Sequence, residues 1–448
     1  MEANASISDS SGNLLFYTDG CSISNKLHGL LKNGDGINAG GLTFVQGCVQ
    51  NTFGYPTHQG VMILPFPGHA NTYVLLHLRK PDPLSRAFIE DVLYSVIDMY
   101  GDGGLGEVTA KNQLIAQDTF CDMLTATRHG NGRDWWVVVP RYNTAEYYVF
   151  LLSPEGISLR SVQQIGAPIK NYTWAIQATF SPDGSKYANN APLSGLQIFD
   201  FDRCSGFLSN AVHNRYPGDT VFACGVAISS SSRYLYASTR LKLYQFDLYA
   251  TRNIEASREL VGVYDGFADY FSSLPTTFYQ MMLAPDKKIY MTCTTGNKYW
   301  HIIHTPDKRG VNCALEQHFE LPTVHSFSPP NFPHFRLFDA QGSPCDTLGI
   351  DGPPPPRDTM PPAVVCRGEL RIFPNPASVH SWLELPDCQK GGMAAVYDIT
   401  GRWVTDWVLE PDELRTQVDV STLVSGVYVV RVQLPDGKRL TKKLLVVR

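Results

Sequence analysis

Asp134 to Leu152 reads DWWVVVPRYNTAEYYVFLL. Two runs of aromatic and β-branched residues, Trp135–Pro140 and Glu146–Leu152, flank a polar RYNTA turn. Neither run has helical spacing, so the unit is a β-hairpin. The adjacent aromatics Trp135 and Trp136, and Tyr147 and Tyr148, point to opposite faces of any strand that carries them. Both faces are therefore apolar, and such a sheet needs a neighbour on each side. Sugar stacking is the alternative use for these rings, and packing between sheets is expected for at least half of them.

The same unit recurs as NLLFYTDGCSISN from Asn13, NTYVLLHL from Asn71, SKYANNAPLSGLQIFDFD from Ser185, RYLYASTRLKLYQFDL from Arg233 and KIYMTCTTGNKYWHIIHTP from Lys288. The mean spacing of the six units is about 55 residues, which four short strands with their turns would fill. Turns of one kind precede three of them: SPDGS at Ser181, SSSSR at Ser229 and APDKK at Ala284. The one helical candidate, Leu84 to Met99, reads equally well as strand over Val92–Ile97 and is assigned to β. Residues 1–340 are thus expected to form an all-β propeller with six countable repeats. A seventh blade is expected in the full-length type, closed by an upstream stretch pairing with a last strand near His334–Phe338.

Residues 341–369 change character, with GPPPPRDTMPP at their centre; consecutive prolines favour an extended spacer. Residues 370–448 return to period two. In GVYVVRVQL from Gly426, Tyr428, Val430, Val432 and Leu434 share a face opposite Arg431 and Gln433. With WLEL, AAVYDITG, RWVTDWVL, QVDV and KRLTKKLLVVR this makes six or seven strands, the build of an immunoglobulin-like sandwich.

The chain has 448 residues, 37 basic and 42 acidic, so a net charge of −5 gives no global field for nucleic acid or an anionic membrane. No apolar run approaches the ~18 residues of a membrane-spanning helix. The start, MEANASISDS, lacks the basic and apolar regions of a secretory signal, so the chain is either cytosolic or shorn of its beginning. Ten cysteines form no CxxC pair. Their spacing fits disulfides or buried thiols. The hairpin-scale pairs are Cys204 with Cys224, Cys293 with Cys313, and Cys366 with Cys388.

The last 79 residues carry FPNPAS at Phe373–Ser378, VYDITGRWV at Val396–Val404, LVSGVYVVRV at Leu423–Val432 and a basic end from Lys438. In this order and place they resemble the type A sorting domain of the type IX (Por) secretion system of Bacteroidota. The resemblance implies a secretion address, recognised by the type IX machinery, and a product released or attached at the outer-membrane surface. The motif residues are Pro374, Asn375, Pro376, Asp398, Gly401, Gly426, Tyr428, Lys442 and Lys443. Pro374 and Pro376 are expected to fix an initial turn, Asp398 and Gly401 a hairpin turn, and Gly426 a bend. Residues 1–340 look like the propeller ectodomains placed ahead of this tail, through ASISDSSGNLLFYTDG, LTATRHGNGRDWWVV, FSPDGSKYA and SPPNFPHFRLF. Those ectodomains begin further upstream, so this chain is expected to lack a signal peptide and part of a first blade. DTL and DTM in the spacer resemble Bacteroidota O-glycosylation acceptors, which marks Thr347 and Thr359 for modification.

No phosphate-binding loop, HExxH or GxSxG occurs, and GDGGLGEV at Gly101 reads as a turn. Asp98, Asp102 and Glu107 lack the alternation of a calcium loop. His301, His304, His318, His325 and His334 cluster late, but His301 and His304 fall on opposite faces of a strand and are read as structural. Asp200 and Asp202 share a face, where a general acid and base could sit, and are read as solvating the strand edge. No catalytic residue, metal or cofactor is assigned. Two functions follow: an exported, non-catalytic propeller binding a glycan, peptide or envelope protein at one mouth, or a propeller hydrolase or lyase whose acid and base come from different blades. Deleting 370–448 from a host-expressed chain given a signal peptide is expected to abolish surface delivery and leave residues 1–340 folded. Proteinase shaving of intact cells and circular dichroism of the truncated protein check the two halves of that expectation.

Overall fold

Each repeated unit lies in its own antiparallel sheet and begins at that sheet's second strand. The computed structural model describes residues 3–51, 54–80, 89–170, 175–216, 223–250, 253–270, 272–322, 327–349, 369–386, 392–409, 415–433 and 439–448. The chain divides into two units, Met1–Gly352 and Pro353–Arg448.

In the first unit, sheet I holds β1 (Ala5–Ser8), β2 (Leu14–Thr18) and β3 (Ile23–Asn25), followed by a short helix, α1 (Gly41–Phe44). Sheet II holds β4 (Val61–Pro65), β5 (Thr72–Arg79), β6 (Ile89–Asp98) and β7 (Glu107–Phe120). Sheet III holds β8 (Thr125–Arg128), β9 (Trp135–Pro140), β10 (Glu146–Ser153) and β11 (Gly156–Gln164). Sheet IV holds β12 (Gln177–Phe180), β13 (Lys186–Ala191), β14 (Gly195–Phe201) and β15 (Leu208–Asn214). Sheet V holds β16 (Gly225–Ile228), β17 (Tyr234–Ser238), β18 (Lys242–Asp247) and β19 (Glu259–Val263). Sheet VI holds β20 (Phe278–Leu283), β21 (Ile289–Cys293), β22 (Tyr299–Ile303) and β23 (Leu315–Glu320). Every sheet is a simple meander, with spatial order equal to chain order. The Leu84–Met99 candidate contributes β6; residues 84–88 lie outside the described residues.

Side-chain alternation decides how the sheets meet. On β9 and β10, Trp135, Val137, Val139, Phe150 and Leu152 enter a core shared with sheet II. Trp136, Val138, Tyr147, Val149 and Leu151 enter a core shared with sheet IV. Further cores join sheets I and II, IV and V, and V and VI. Trp135, Trp136 and Tyr147 are buried, and Tyr148 donates its hydroxyl to Asp118 at 2.6 Å, so these rings serve packing. Burial of one such side chain contributes roughly 1.5–3 kcal/mol.

The first strands β4, β12, β16 and β20 are tied by side-chain amides. Gln59 donates to the Ala178 carbonyl at 2.6 Å and accepts the Ala178 N–H at 2.8 Å. Gln177 donates to the Met281 carbonyl at 2.6 Å while its oxygen accepts the N–H groups of Val226 at 2.9 Å and Met281 at 3.0 Å. Gln280 donates to the Ile176 carbonyl at 2.8 Å. β16 comes so close to β20 that a Cβ on Gly225 would collide with the Tyr279 carbonyl, which requires glycine there.

Residues 327–345 do not form the last strand expected near His334–Phe338. They run as an irregular strap among the first strands. Asn331 donates its side-chain amide to the carbonyls of Val61 and Leu124, each at 3.0 Å, and its N–H to that of Asn4 at 3.1 Å. His334 meets the Phe180 carbonyl at 3.2 Å. A cavity of about 40 Å³ lies between the strap and β12, β16 and β20, enough for water. A strand needs a continuous partner for its backbone, and here each partner strand contributes one or two groups.

Two disulfides form, Cys21–Cys48 and Cys204–Cys345; the second fastens the end of the strap to the turn after β14. The expected Cys204–Cys224 and Cys293–Cys313 pairs do not form, and Cys224, Cys293 and Cys313 are buried thiols. In a meander, cysteines about twenty residues apart fall at opposite ends of the strands. Cys204 follows β14 at the end where Lys186 pairs with Asp200, whereas the Cys224 thiol reaches the Asn190 carbonyl at the other. Cys293 pairs with Phe278 at the start of β20, and Cys313 precedes the opposite end, where Leu315 pairs with Ile303. Cys366 and Cys388 lie outside the described residues.

The second unit has seven strands among its described residues: β24 (Arg371–Phe373), β25 (His380–Glu384), β26 (Gly392–Asp398), β27 (Trp403–Leu409), β28 (Arg415–Asp419), β29 (Gly426–Gln433) and β30 (Arg439–Val446). They form two sheets, in the orders β24-β25-β28 and β27-β26-β29-β30. Ile372, Leu383 and Val418 of the first sheet share one core with Val396, Val430, Val432 and Leu444 of the second.

Replacing Gln177 with Leu strands the N–H groups of Val226 and Met281 and the Met281 carbonyl. Buried groups left without partners cost about 1–3 kcal/mol each. Gln177→Leu is expected to lower the unfolding free energy of the first unit by about 3 kcal/mol or more. Gln113→Leu at an exposed position is expected to change it by less than about 0.5 kcal/mol, both read from guanidinium unfolding.

Candidate functional site

At the end of the first unit where β4, β16 and β20 begin, a cavity of about 330 Å³ is lined by Pro56, His58, Lys80, Tyr279, Thr294 and Phe327, with Ala223. Antiparallel order brings these together: His58 and Ala223 precede first strands, and Lys80 and Thr294 follow second strands. The His58 ring packs edge-on to Tyr279, with centroids 5.8 Å apart, and to Phe327 at 6.5 Å. Its Nδ1 lies 2.9 Å from the Ser328 hydroxyl on the strap. Behind it, the Asp122 carboxylate accepts the N–H groups of His58 at 2.6 Å and Gln59 at 3.1 Å. Burial first, and then the Lys80 charge, pull the imidazole down to about 3, so it is neutral at physiological pH. The Lys80 main chain is held from both sides by the Tyr55 hydroxyl, which accepts its N–H at 2.8 Å and donates to its carbonyl at 3.1 Å. One cation, a neutral imidazole and aromatic walls therefore face one space.

At the opposite end, strap residues 332–337 line a second cavity, of about 320 Å³, with Pro182, Ser230, Leu283 and Lys287. Arg128 lies 3.9 Å over the Trp135 ring and donates to the Phe335 carbonyl, and Arg203 donates to the carbonyls of Arg128 and Phe338. Burial pulls both guanidinium groups down to about 10, helped at Arg128 by the Arg203 charge. These arginines hold main-chain oxygens and serve the architecture.

The residues singled out in the sequence disperse. Asp200 pairs with Lys186 and Asn210, while Asp202 holds the following turn through the Cys204 N–H and the Ser205 hydroxyl. His301 meets the Thr276 carbonyl, His304 pairs with Glu316, and His318 pairs with Asp265. His334 belongs to the strap, and His325 lies outside the described residues. Asp98 accepts the Tyr100 N–H and Glu107 pairs with Lys32. Among the described residues, no three His, Cys, Asp or Glu side chains stand where they could hold one metal ion. Sequence reasoning missed His58, Lys80 and the glutamines. A signal existed for the latter: HQGVMIL, IQATF and YQMML each place Gln at the head of a first strand.

In the second unit the FPNPAS motif stitches the chain to β30. Asn375 donates to the Lys443 carbonyl and accepts the Leu445 N–H, each at 2.8 Å, between cis peptides at Pro374 and Pro376. The Ser381 hydroxyl bonds the Pro374 carbonyl at 3.0 Å. Asp398 accepts the N–H groups of Thr400 and Arg402, and Gly401 closes that turn at φ +84. Tyr428 is buried and donates to the Val424 carbonyl at 2.8 Å. Gly426 corrects the expectation of a bend: it starts β29 paired with Val446, outside the left-handed region, and a Cβ there would meet its neighbours only at ordinary contact distance. Of the two lysines, Lys442 pairs with Glu369 at 3.0 Å, and Lys443 is exposed. Thr347 is exposed beside Cys345, and Thr359 lies outside the described residues.

Residues 371–447 match the secretion system C-terminal sorting domain. That match supports a type IX secretion substrate: an exported protein, secreted or at the cell surface, whose tail engages the type IX machinery. No helix among the described residues is long and apolar enough to cross a membrane. No curated protein matches the chain. Among solved structures it is similar to PorZ, an essential surface component of the type IX secretion system of Porphyromonas gingivalis, at 11% identity and TM-score 0.32, covering 88% of this chain and 60% of that one. It is similar to the periplasmic gluconolactonase PpgL of Pseudomonas aeruginosa at 13% identity and TM-score 0.36, covering 62% and 87%. A functionally unknown protein of Desulfotomaculum acetoxidans aligns at 12% identity and TM-score 0.35, covering 61% and 75%.

Burial holds His58 and His77 down to about 3 and His301 and His334 down to about 4. In the unfolded chain they titrate near 6.5, so below that pH the unfolded state binds more protons and stability falls as pH drops towards 4. Each contributes a slope of up to ~1.4 kcal/mol per pH unit. His58→Gln is expected to reduce the slope between pH 6 and 5 by about 1 kcal/mol per unit, read from guanidinium midpoints at the two pH values.

Proposed function

We propose that the first unit is a β-propeller, its six sheets the blades, that acts as a non-catalytic binding module on an exported protein, and that the second is an immunoglobulin-like sorting sandwich. The observation that carries the binding function is the strap. It bonds to β4 and β12, to the residues flanking β1 and β8, and lines the axial cavity with β16 and β20. The strap runs among the first strands, and the His58–Phe327 cavity lies at the end where β4, β16 and β20 begin. Successive sheets sharing one core each, with all first strands on a common strap, support the ring. A neutral histidine whose Nδ1 is engaged, and an aspartate already accepting two main-chain N–H groups, support binding over acid–base chemistry at this mouth. We place O-glycosylation at the exposed Thr347 within the same reading.

The test is a melting-temperature panel of neutral hexosides, uronates and short peptides on the full chain. A ligand bound only to the folded state raises stability with its concentration over Kd. At least one member is expected to raise the transition of the first unit by about 2 °C or more, with the shift lost in Phe327→Ala. Shifts that survive Phe327→Ala would place binding elsewhere, and no shift with any member would overturn the reading.

A further inference from the structure

The mouth cavity carries more chemical information than its position. Its volume, about 330 Å³, stands at the lower end of the ~300–1,000 Å³ of small-molecule sites. Among its described lining residues the Lys80 ammonium is the one formal charge, because His58 is held neutral and the Asp122 carboxylate is turned to two main-chain N–H groups behind it. Phe327, Tyr279 and Pro56 supply apolar surface, and Thr294 adds a hydroxyl. Tyr279 and Phe327 are fixed against the same imidazole, so their surfaces are set before a ligand arrives. The Lys80 side chain extends from a main chain clamped by Tyr55, which makes it a charge on a fixed base.

We infer that this cavity takes a small ring-bearing carboxylate, with its carboxylate on the Lys80 ammonium and the flat face of its ring against Phe327 and Tyr279. The inference rests on the binding function proposed above and names its ligand chemistry. An acidic sugar and the C-terminal residue of an aromatic peptide share that chemistry. Both present one anionic group beside a face whose C–H or ring carbons prefer an aromatic wall. A partly enclosed cation opposite apolar walls favours an anion over its neutral isostere, since a neutral group forgoes the charge-assisted bond and still displaces water from the ammonium.

Isothermal titration of the full chain with two matched pairs tests it: methyl glucuronide against methyl glucoside, and N-acetylphenylalanine against its amide. In at least one pair the carboxylate is expected to bind about tenfold tighter than the neutral partner, and the pair that responds identifies the source. Lys80→Met is expected to bring that ratio to about one with a melting temperature within about 2 °C of the wild type, because Tyr55 holds the main chain of residue 80 and the bond from its ammonium to the Pro56 carbonyl is long, at 3.5 Å. Raising salt to about 0.5 M is expected to narrow the wild-type ratio several-fold. Neutral partners binding as well as the carboxylates, a ratio that persists in Lys80→Met, or carboxylates binding no tighter than about 10 mM each overturn the inference. Neutral ligands lost in Phe327→Ala would leave the binding module standing while removing the carboxylate; no ligand sensitive to Phe327→Ala would remove both.

Discussion

The first unit depends on satisfying the inner edge of each sheet. A first strand bonds its own sheet on one side only, and its other side is buried where water cannot serve it. Side-chain amides solve this because one group carries a donor and an acceptor a peptide's width apart. Gln59 does so for Ala178 and Gln177 for Val226 and Met281, while Asn331 donates to the carbonyls of both Val61 and Leu124. Each bond crosses between sheets, so satisfying the edges also fixes where the sheets stand.

The strap follows from the same constraint. Hydrogen bonds from Asn331 and His334 occupy carbonyls the glutamines do not reach, and the Cys204–Cys345 bridge keeps the strap's far end in place. A bridge closing a loop of this length removes several kcal/mol of chain entropy from the unfolded state in the loop-closure model. The same segment reaches the cavity at the end where β4, β16 and β20 begin. There the strap contributes Phe327 and, through Ser328, the orientation of His58. Architecture and candidate site are thus built from one segment.

The second unit uses its motif residues differently. Asn375 takes the place of a strand residue against β30, and Asp398 holds the β26–β27 turn with main-chain bonds. These are folding roles. Lys443 is left outward, whereas Lys442 is already paired with Glu369, so the basic end offers less free charge than its composition suggests.

The strands, the six repeated units with their spacing and the sorting motifs were legible in the sequence. Those are local: alternation, turn chemistry and short ordered strings act within a few residues of themselves. Tertiary structure alone decided the disulfide partners, since a meander separates cysteines that are close in sequence, and Cys204 found Cys345 across 141 residues. It decided that residues 327–345 form a strap, because no local pattern tells an irregular segment which carbonyls it will meet. It decided the mouth as well. Lys80, His58, Tyr279 and Phe327 come from widely separated segments, and only the stacking of sheets puts one ammonium and two aromatic rings around the same space.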